Sequence, residues 1–373
     1  MVTVRPGFSR PRQIRPFSRN VEHIIADACP GSIIEPWQAA SRRHPLWGLW
    51  RRVLTGHATD EDLRHRASSG GAISALLIEA LTSGMVERVL HIGADPLQPM
   101  RNIVRWSDTP DEIIDGAGSR YAASSPMELI GPALAAGKRF AFVGKPCDVS
   151  ALRRLAKHDP RVDKLVPVVL SFFCGGVPSH DGADRIVRAM GLEPDEIESF
   201  RYRGNGWPGL TRAQTRDGRS GEMRYAESWG EYLSGQVQFR CKICPDSVGG
   251  VADIACADAW YGAGGGFPEF EEAAGRSLMI TRTPQGEILL DKALESGVLA
   301  AEPFDIDDVE LMQPAQSYRK RHIAARVAAN SSLLQPSPRM RGLDVIKAGR
   351  SASWRELFRN FAGTARRIAM GRR

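Results

Sequence analysis

Three of the six cysteines, Cys241, Cys244 and Cys256, form an irregular C-x2-C-x11-C array. A two-residue spacer lets the backbone turn so that both thiolates face one metal centre, as in tetrahedral zinc sites and cubane iron–sulfur clusters. A zinc ribbon would add a second C-x2-C or paired histidines nearby, yet the next histidine is His322. The fourth ligand therefore has to come from a distance, which suits a cluster. Cys147 and Cys174 each follow an apolar run and precede a helical pattern, whose N-terminal dipole favours an anionic thiolate. Cys147 is the preferred fourth ligand, and Cys174 is the alternative. Cys29, in Ala28-Cys29-Pro30-Gly31, reads as a lone loop thiol.

Other groups have chemistry of their own. Ser68-Ser69-Gly70-Gly71 opens a helical pattern, where bare backbone N–H groups attract anions; an ordinary glycine-rich cap reads equally well. Gly118-Ser119-Arg120-Tyr121 offers a hydroxyl, a guanidinium and a ring that could stack on a flat cofactor, or a ring that simply packs. Arg201 to Gly209 is dense in glycine, arginine and tryptophan. Asp253 and Asp258 flank Cys256 as loop acids or as groups that tune a metal centre.

The elements that must position these residues alternate. Ala72 to Leu81 has helical periodicity, and Val86 to Ile92, Arg139 to Val143 and Leu165 to Phe173 read as strands. Asp148 reads as a helix cap, and another helix runs from Ser179 to Met190. This alternation predicts an α/β (mixed α+β) fold: a sheet core with flanking helices. It also puts Cys147 and Cys174 just beyond strand C-termini, where open α/β sheets bind ligands. From 199 to 300 the chain reads as a loop-rich lobe carrying the cysteine array.

The chain has 373 residues and a net charge of +7, which invites a nucleic-acid reading. The charge is unevenly spread, however: +5 over residues 1–20, −10 over 21–315 and +12 from Gln316 onward. Every motif above lies in the acidic part, and no nucleic-acid fold accompanies the charge, so nucleic acid is not the expected partner. Four segments follow: a basic disordered arm (1–20), a first domain (21–135), a second with the cysteines (136–315) and a basic tail (316–373). No stretch approaches the roughly 20 apolar residues of a membrane span. With no secretory signal at its start, the chain is expected in the cytoplasm.

Taken together, the segments SSGGAISALL, GSRYAASSP, GKPCDVSALRRL, SFFCGGVPS, RYRGNGWPG and FRCKICPDSVGGVADIACADAW resemble the coenzyme F420 hydrogenase/dehydrogenase beta-subunit family. They also resemble its 7-hydroxymethyl chlorophyll a reductase members. They run from Ser68 to Trp260, about half the chain. The resemblance implies an oxidoreductase with FAD and a [4Fe–4S] cluster that passes electrons between a reduced carrier (coenzyme F420, ferredoxin or similar) and a substrate or partner protein. It implies cluster binding at Cys241, Cys244 and Cys256, with Cys147 and Cys174 as its two other characteristic cysteines. Ser69, Gly70, Gly71, Ser119, Arg120 and Tyr121 fall in the flavin-side segments. Lys145 stands where the family usually has a hydroxyl; near an isoalloxazine it would act catalytically by stabilising the reduced anionic flavin. The ferredoxin-like run of four cysteines found in many members is absent, so one cluster is expected. The rival readings are a zinc-stabilised scaffold of the same fold and an electron-delivery subunit of a larger complex.

In the tail, Trp354, Leu357, Phe358, Phe361, Ala365 and Ile368 fall on one helical face, with Arg355, Arg359, Arg366, Arg367, Arg372 and Arg373 around it. Residues 352–373 are thus expected to form a basic amphipathic helix. It would lie on the inner face of a membrane, dock a partner or pack on the protein's own core.

Overall fold

A computed structural model describes residues 2–4, 7–37, 42–262 and 269–371. Eleven strands carry the argument: β1 Arg52–Ala58, β2 Arg88–Ala94, β3 Asn102–Ser107, β4 Phe140–Val143, β5 Val168–Phe172, β6 Ile197–Arg201, β7 Leu210–Thr215, β8 Ser220–Arg224, β9 Ile254–Asp258, β10 Ser277–Thr281 and β11 Leu299–Pro303. The helices are α1 Arg19–Ala28, α2 Ala72–Thr82, α3 Pro146–Leu155, α4 His180–Ala189, α5 Phe239–Lys242, α6 Pro284–Glu295, α7 Pro314–Ser332 and α8 Trp354–Ala369.

Eight strands make one sheet in the order β11-β1-β10-β9-β5-β4-β2-β3. Four adjacent strands, β9, β5, β4 and β2, are parallel, with three strands in antiparallel pairing on one side and one on the other. The two-residue period of a strand sorts its side chains between two cores. In β4, Phe140 and Phe142 face Val149 and Leu152 of α3. Ala141 and Val143, the alternate residues, face Leu76 of α2 and Leu289 of α6. Helices thus cover both faces, as a parallel sheet requires.

The mixed α/β expectation therefore holds, and the sheet does not stop at residue 135 but takes strands from both sides of it. Nor is the 199–300 stretch loop throughout. β6, β7 and β8 form an antiparallel sheet packed on α4 through Phe200, Ala213, Ile186 and Val187. Its alternation is hidden because Thr211 and Thr215 are buried alongside Ala213. Parts of the N-terminal arm are ordered: Val2–Val4 pairs with Phe8–Arg10, and Phe8 is buried. The Gly7 carbonyl accepts from the His180 N–H at 2.8 Å, which ties the hairpin to α4.

The basic helix forms as expected over Trp354–Ala369, capped by Ser353 and Glu356; Arg372 and Arg373 lie outside the described residues. Its apolar face packs on α7 in part, and Ile368 and Thr364 are buried. Trp354 and Phe358 stay 72% and 66% exposed. No helix among the described residues is long and apolar enough to cross a membrane.

Candidate functional site

The C-terminal ends of β4, β5 and β9 open onto a cavity of about 990 Å³. Parallel neighbours all point their C-termini to one edge, so their following loops meet there. The cavity is lined by Ser69, Gly71, Ser119, Arg120, Tyr121, Lys145, Cys174, Cys241 and Cys256. Gly70 is not among its lining residues. A Cβ on Gly70 would stand 2.7 Å from the Ser277 nitrogen, and the Gly70 N–H donates to Ser277 Oγ at 2.9 Å, so that glycine lets two chain segments cross.

Several expected cofactor contacts are already committed within the protein. Ser69 Oγ bonds the Arg276 carbonyl and Ser277 Oγ, both at 3.0 Å. Arg120 donates to Asn102 Oδ1 and to the carbonyls of Phe200, Pro99 and Arg101, pinning its loop to the small sheet. Tyr121 packs against Tyr202 and Trp229 at centroid distances of 5.6 and 5.0 Å. What remains open is the N-terminus of α2. Gly71 caps it at φ +76° with no side-chain hydrogen bond, and Gly71 through Ser74 line the cavity. Those first-turn N–H groups have no partner within the helix and suit an anion.

One wall is aromatic. Tyr225, Trp229, Trp260 and Phe270 line the cavity, with Trp207 stacked on Trp260 at 4.8 Å behind it. Arg203 holds this wall: fully buried, it lies 4.6 Å from the Tyr225 ring and 4.8 Å from the Trp260 ring, and it forks onto Asp258 at 2.9 and 2.7 Å. Burial disfavours its charge, but Asp258 more than offsets this and raises its pKa. The Trp207 indole also donates to Asp258, at 2.8 Å. Asp253 lies elsewhere: it pairs with Arg153 at 2.9 Å and accepts from the Val169 N–H and Thr283 hydroxyl.

Four thiols are neighbours. Burial pushes the Cys147 thiol well up, and Cys174 and Cys244 add to the shift. Cys174 is pushed up to about 12 by burial, then by Cys241, with Arg319 opposing. Cys244 is raised by burial, opposed by Arg240, with a further push from Cys241. Cys256 stands apart. It lies within β9, opposite Phe172 and Met279, and reaches about 12 through burial alone. Cys147, Cys174, Cys241 and Cys244 thus act on one another, whereas Cys256 meets the site from β9, on the cavity lining it shares with Cys174 and Cys241. Cys29 is exposed and is not among the cavity's lining residues. As the side chains stand, no group of three or more His, Cys, Asp or Glu among the described residues is closed up as a metal site. The donor chemistry, four thiols from three loops, fits an iron–sulfur centre better than a hard cation.

Lys145 sits between the thiols and the cavity. Its ammonium donates to Ser124 Oγ and Asp148 Oδ2, each at 2.6 Å. Burial works against the charge, but Asp148, Cys147 and Cys174 outweigh it and leave the pKa raised. Asp148 sits in the first turn of α3 rather than at its cap, and takes the Lys145 N–H at 3.0 Å.

Sequence reasoning missed α7. Arg319 donates to the carbonyls of Cys174 and Gly175 at 2.8 and 2.7 Å, Lys320 to that of Pro245 at 2.7 Å and Arg326 to that of Lys242 at 2.9 Å. Three cations of the basic tail therefore hold both cysteine loops. A lysine buried on a helix was the available signal, but local sequence does not reveal which loop it meets.

Comparisons with known proteins agree with this architecture. Residues 53–130 match the N-terminal model, and residues 137–307 the C-terminal model, of the family described as "Coenzyme F420 hydrogenase/dehydrogenase, beta subunit". Coenzyme F420 hydrogenase subunit beta of Methanococcus voltae is 26% identical over 307 residues, 78% of this chain and 99% of that protein. The chloroplastic 7-hydroxymethyl chlorophyll a reductase of Oryza sativa is 29% identical over 188 residues, 49% of this chain and 38% of that one. A chain of the F420-reducing [NiFe] hydrogenase complex from Methanosarcina barkeri shares the fold at a TM-score of 0.60 and 20% identity, covering 80% of this chain and 98% of its own. With both halves of the family matched across the sheet and its cavity, the chain belongs to the coenzyme F420 hydrogenase/dehydrogenase beta-subunit family of oxidoreductases.

Proposed function

We propose that the protein is a flavin- and [4Fe–4S]-dependent oxidoreductase subunit. It would exchange two electrons with a small carrier or substrate, coenzyme F420 among the candidates, and single electrons with a protein partner. The observation that carries this reading is a set of four thiols, Cys147, Cys174, Cys241 and Cys244, close enough to act on one another, with Cys174 and Cys241 lining one aromatic-walled cavity. When bound, a flavin beside an iron–sulfur cluster supplies conversion between two-electron and one-electron transfer.

The chain's own residues would do the following. The four cysteines would hold the cluster as thiolates, with Lys145, Arg240 and Arg319 offsetting their negative charge. The first turn of α2 would hold the flavin's phosphate, and Tyr121, Trp229 and Trp260 would bound its ring. Lys145, kept charged by Asp148, would present a positive charge at the cavity wall and favour a reduced anionic ring. Cys256 would line the cavity without binding metal. These roles rest on donor chemistry and on the mutual influence of the four thiols, which supports Cys174 rather than Cys256 in the ligand set.

Anaerobic purification with iron, zinc and flavin analysis tests the proposal. Wild-type protein is expected to carry iron and a flavin band near ~450 nm, ordinary flavin behaviour. Cys174→Ser and Cys241→Ser should lose the iron, and Cys256→Ser should keep it. A colourless, zinc-containing wild type would sink the reading in favour of a scaffold. An unchanged flavin potential in Lys145→Thr would remove Lys145 from the mechanism.

A further inference from the structure

The family match ends at residue 307, so α7 and α8 lie beyond it. Both carry positive charge to the cysteine loop. Arg326 of α7 is held by Asn360 Oδ1 of α8 at 3.0 Å and by the Lys242 carbonyl at 2.9 Å. Lys242 lies between Cys241 and Cys244, and Arg367 of α8 is close enough to act on both Lys242 and Arg326. Arg319 also acts on Arg326, and Arg240 lies beside Cys244. Among the described residues none of these five cations takes part in an ion pair, although twenty-two such pairs occur elsewhere in the chain. Lys242 Nζ makes no hydrogen bond there either, while Arg367 is exposed. Like charges so gathered repel one another unless an anion meets them.

We infer that Lys242, Arg326 and Arg367 form a docking surface for an acidic one-electron carrier protein. The surface deepens the function proposed above and rests on it for its purpose. The cations lie where electrons would enter, over Cys241 and Cys244. Each encounter would oxidise the carrier by one electron and reduce the thiolate-held centre by one, with no atom or proton transferred. A lipid surface fits less well. The C-terminal half of the apolar face of α8 packs against the protein, and Lys242 and Arg326 are half-buried, within reach of protruding carboxylates but not of a flat bilayer. The exposed Trp354 and Phe358 lie toward the other end of the helix, which at 1.5 Å per residue puts Trp354 about 20 Å from Arg367.

The test uses the full chain, a plant-type [2Fe–2S] ferredoxin as the acidic probe, and binding measured at low and high salt. Arg367→Glu is expected to weaken binding about tenfold at low salt, a difference that high salt erases. Arg355→Glu makes the same charge change at the distant end of α8 and should stay within about twofold of wild type. Equal weakening by both variants, or binding indifferent to salt, would overturn the surface. So would flotation with phosphatidylserine vesicles that Arg367→Glu abolishes while ferredoxin binding is unchanged, because the occupant would then be lipid. Salt-sensitive ferredoxin binding by protein that carries no iron would support the surface while defeating the cofactor reading, so the two failures are distinguishable.

Discussion

Lys320 donates its ammonium proton to the carbonyl of Pro245 at 2.7 Å, one residue beyond Cys244. Burial lowers the lysine's pKa, partly offset by Asp246 and Cys244. This bond joins a helix outside the family match to the second cysteine of the C-x2-C pair.

Lys320→Met keeps the bulk of the side chain and removes the donor, leaving a buried carbonyl without a partner. The expected cost is about 1–3 kcal/mol, read as a lower urea midpoint with an unchanged slope. A midpoint equal to wild type would mean that water or a neighbour satisfies Pro245.

Asp258→Asn should cost about 3–5 kcal/mol, because it leaves the Arg203 guanidinium buried without its counter-charge. Arg203 also holds Tyr225 and Trp260, so the variant should loosen the aromatic wall. Increased quenching of tryptophan fluorescence by acrylamide would register that change.

His91 is buried with Nε2 2.7 Å from Ser107 Oγ, and burial, with Arg105 nearby, lowers its pKa to about 4. An unfolded histidine titrates near ~6.5, so the unfolded chain binds the extra proton first as the pH falls. The stability contribution is complete above about pH 6.5 and is lost as the pH drops toward 4, a difference of roughly 3 kcal/mol. Denaturation at several pH values should show this slope, and His91→Gln should flatten it.

Cys174 and Cys256 are pushed up to about 12, so thiolate is scarce at pH 8 in the folded apoprotein. Iodoacetamide at that pH should label the exposed Cys29 and leave Cys174 and Cys256 untouched. Peptide mass spectrometry reads the outcome, and labelling of all six is expected only in denaturant.

The two ends of the apolar face of α8 predict opposite results. Ile368→Ala removes a side chain that is 7% exposed and should cost about 2–3 kcal/mol. Trp354→Ser, at a position 72% exposed, should stay within about 0.5 kcal/mol of wild type. Thermal melts of the two variants distinguish a packed helix from a free one.

Much of the architecture is local and could be read from residue order. The Phe-Ala-Phe-Val run of β4, the apolar period of α2 and the glycine at its start are short-range patterns set by backbone geometry. They also settle that the loops after β4 and β5, with Cys147 and Cys174, open at one sheet edge. The small sheet escaped because buried threonines mask its alternation. The grouping of thiols was not legible, since it depends on pairing between distant segments. Cys256 reads as the third member of an array, and only strand pairing shows that it stands within β9, between β5 and β10. The +12 tail likewise reads only as a basic segment ending in an amphipathic helix. Only the packing of α7 shows Arg319, Lys320 and Arg326 satisfying loop carbonyls, because a side chain's hydrogen-bond partner is fixed by tertiary contact and not by its neighbours in sequence.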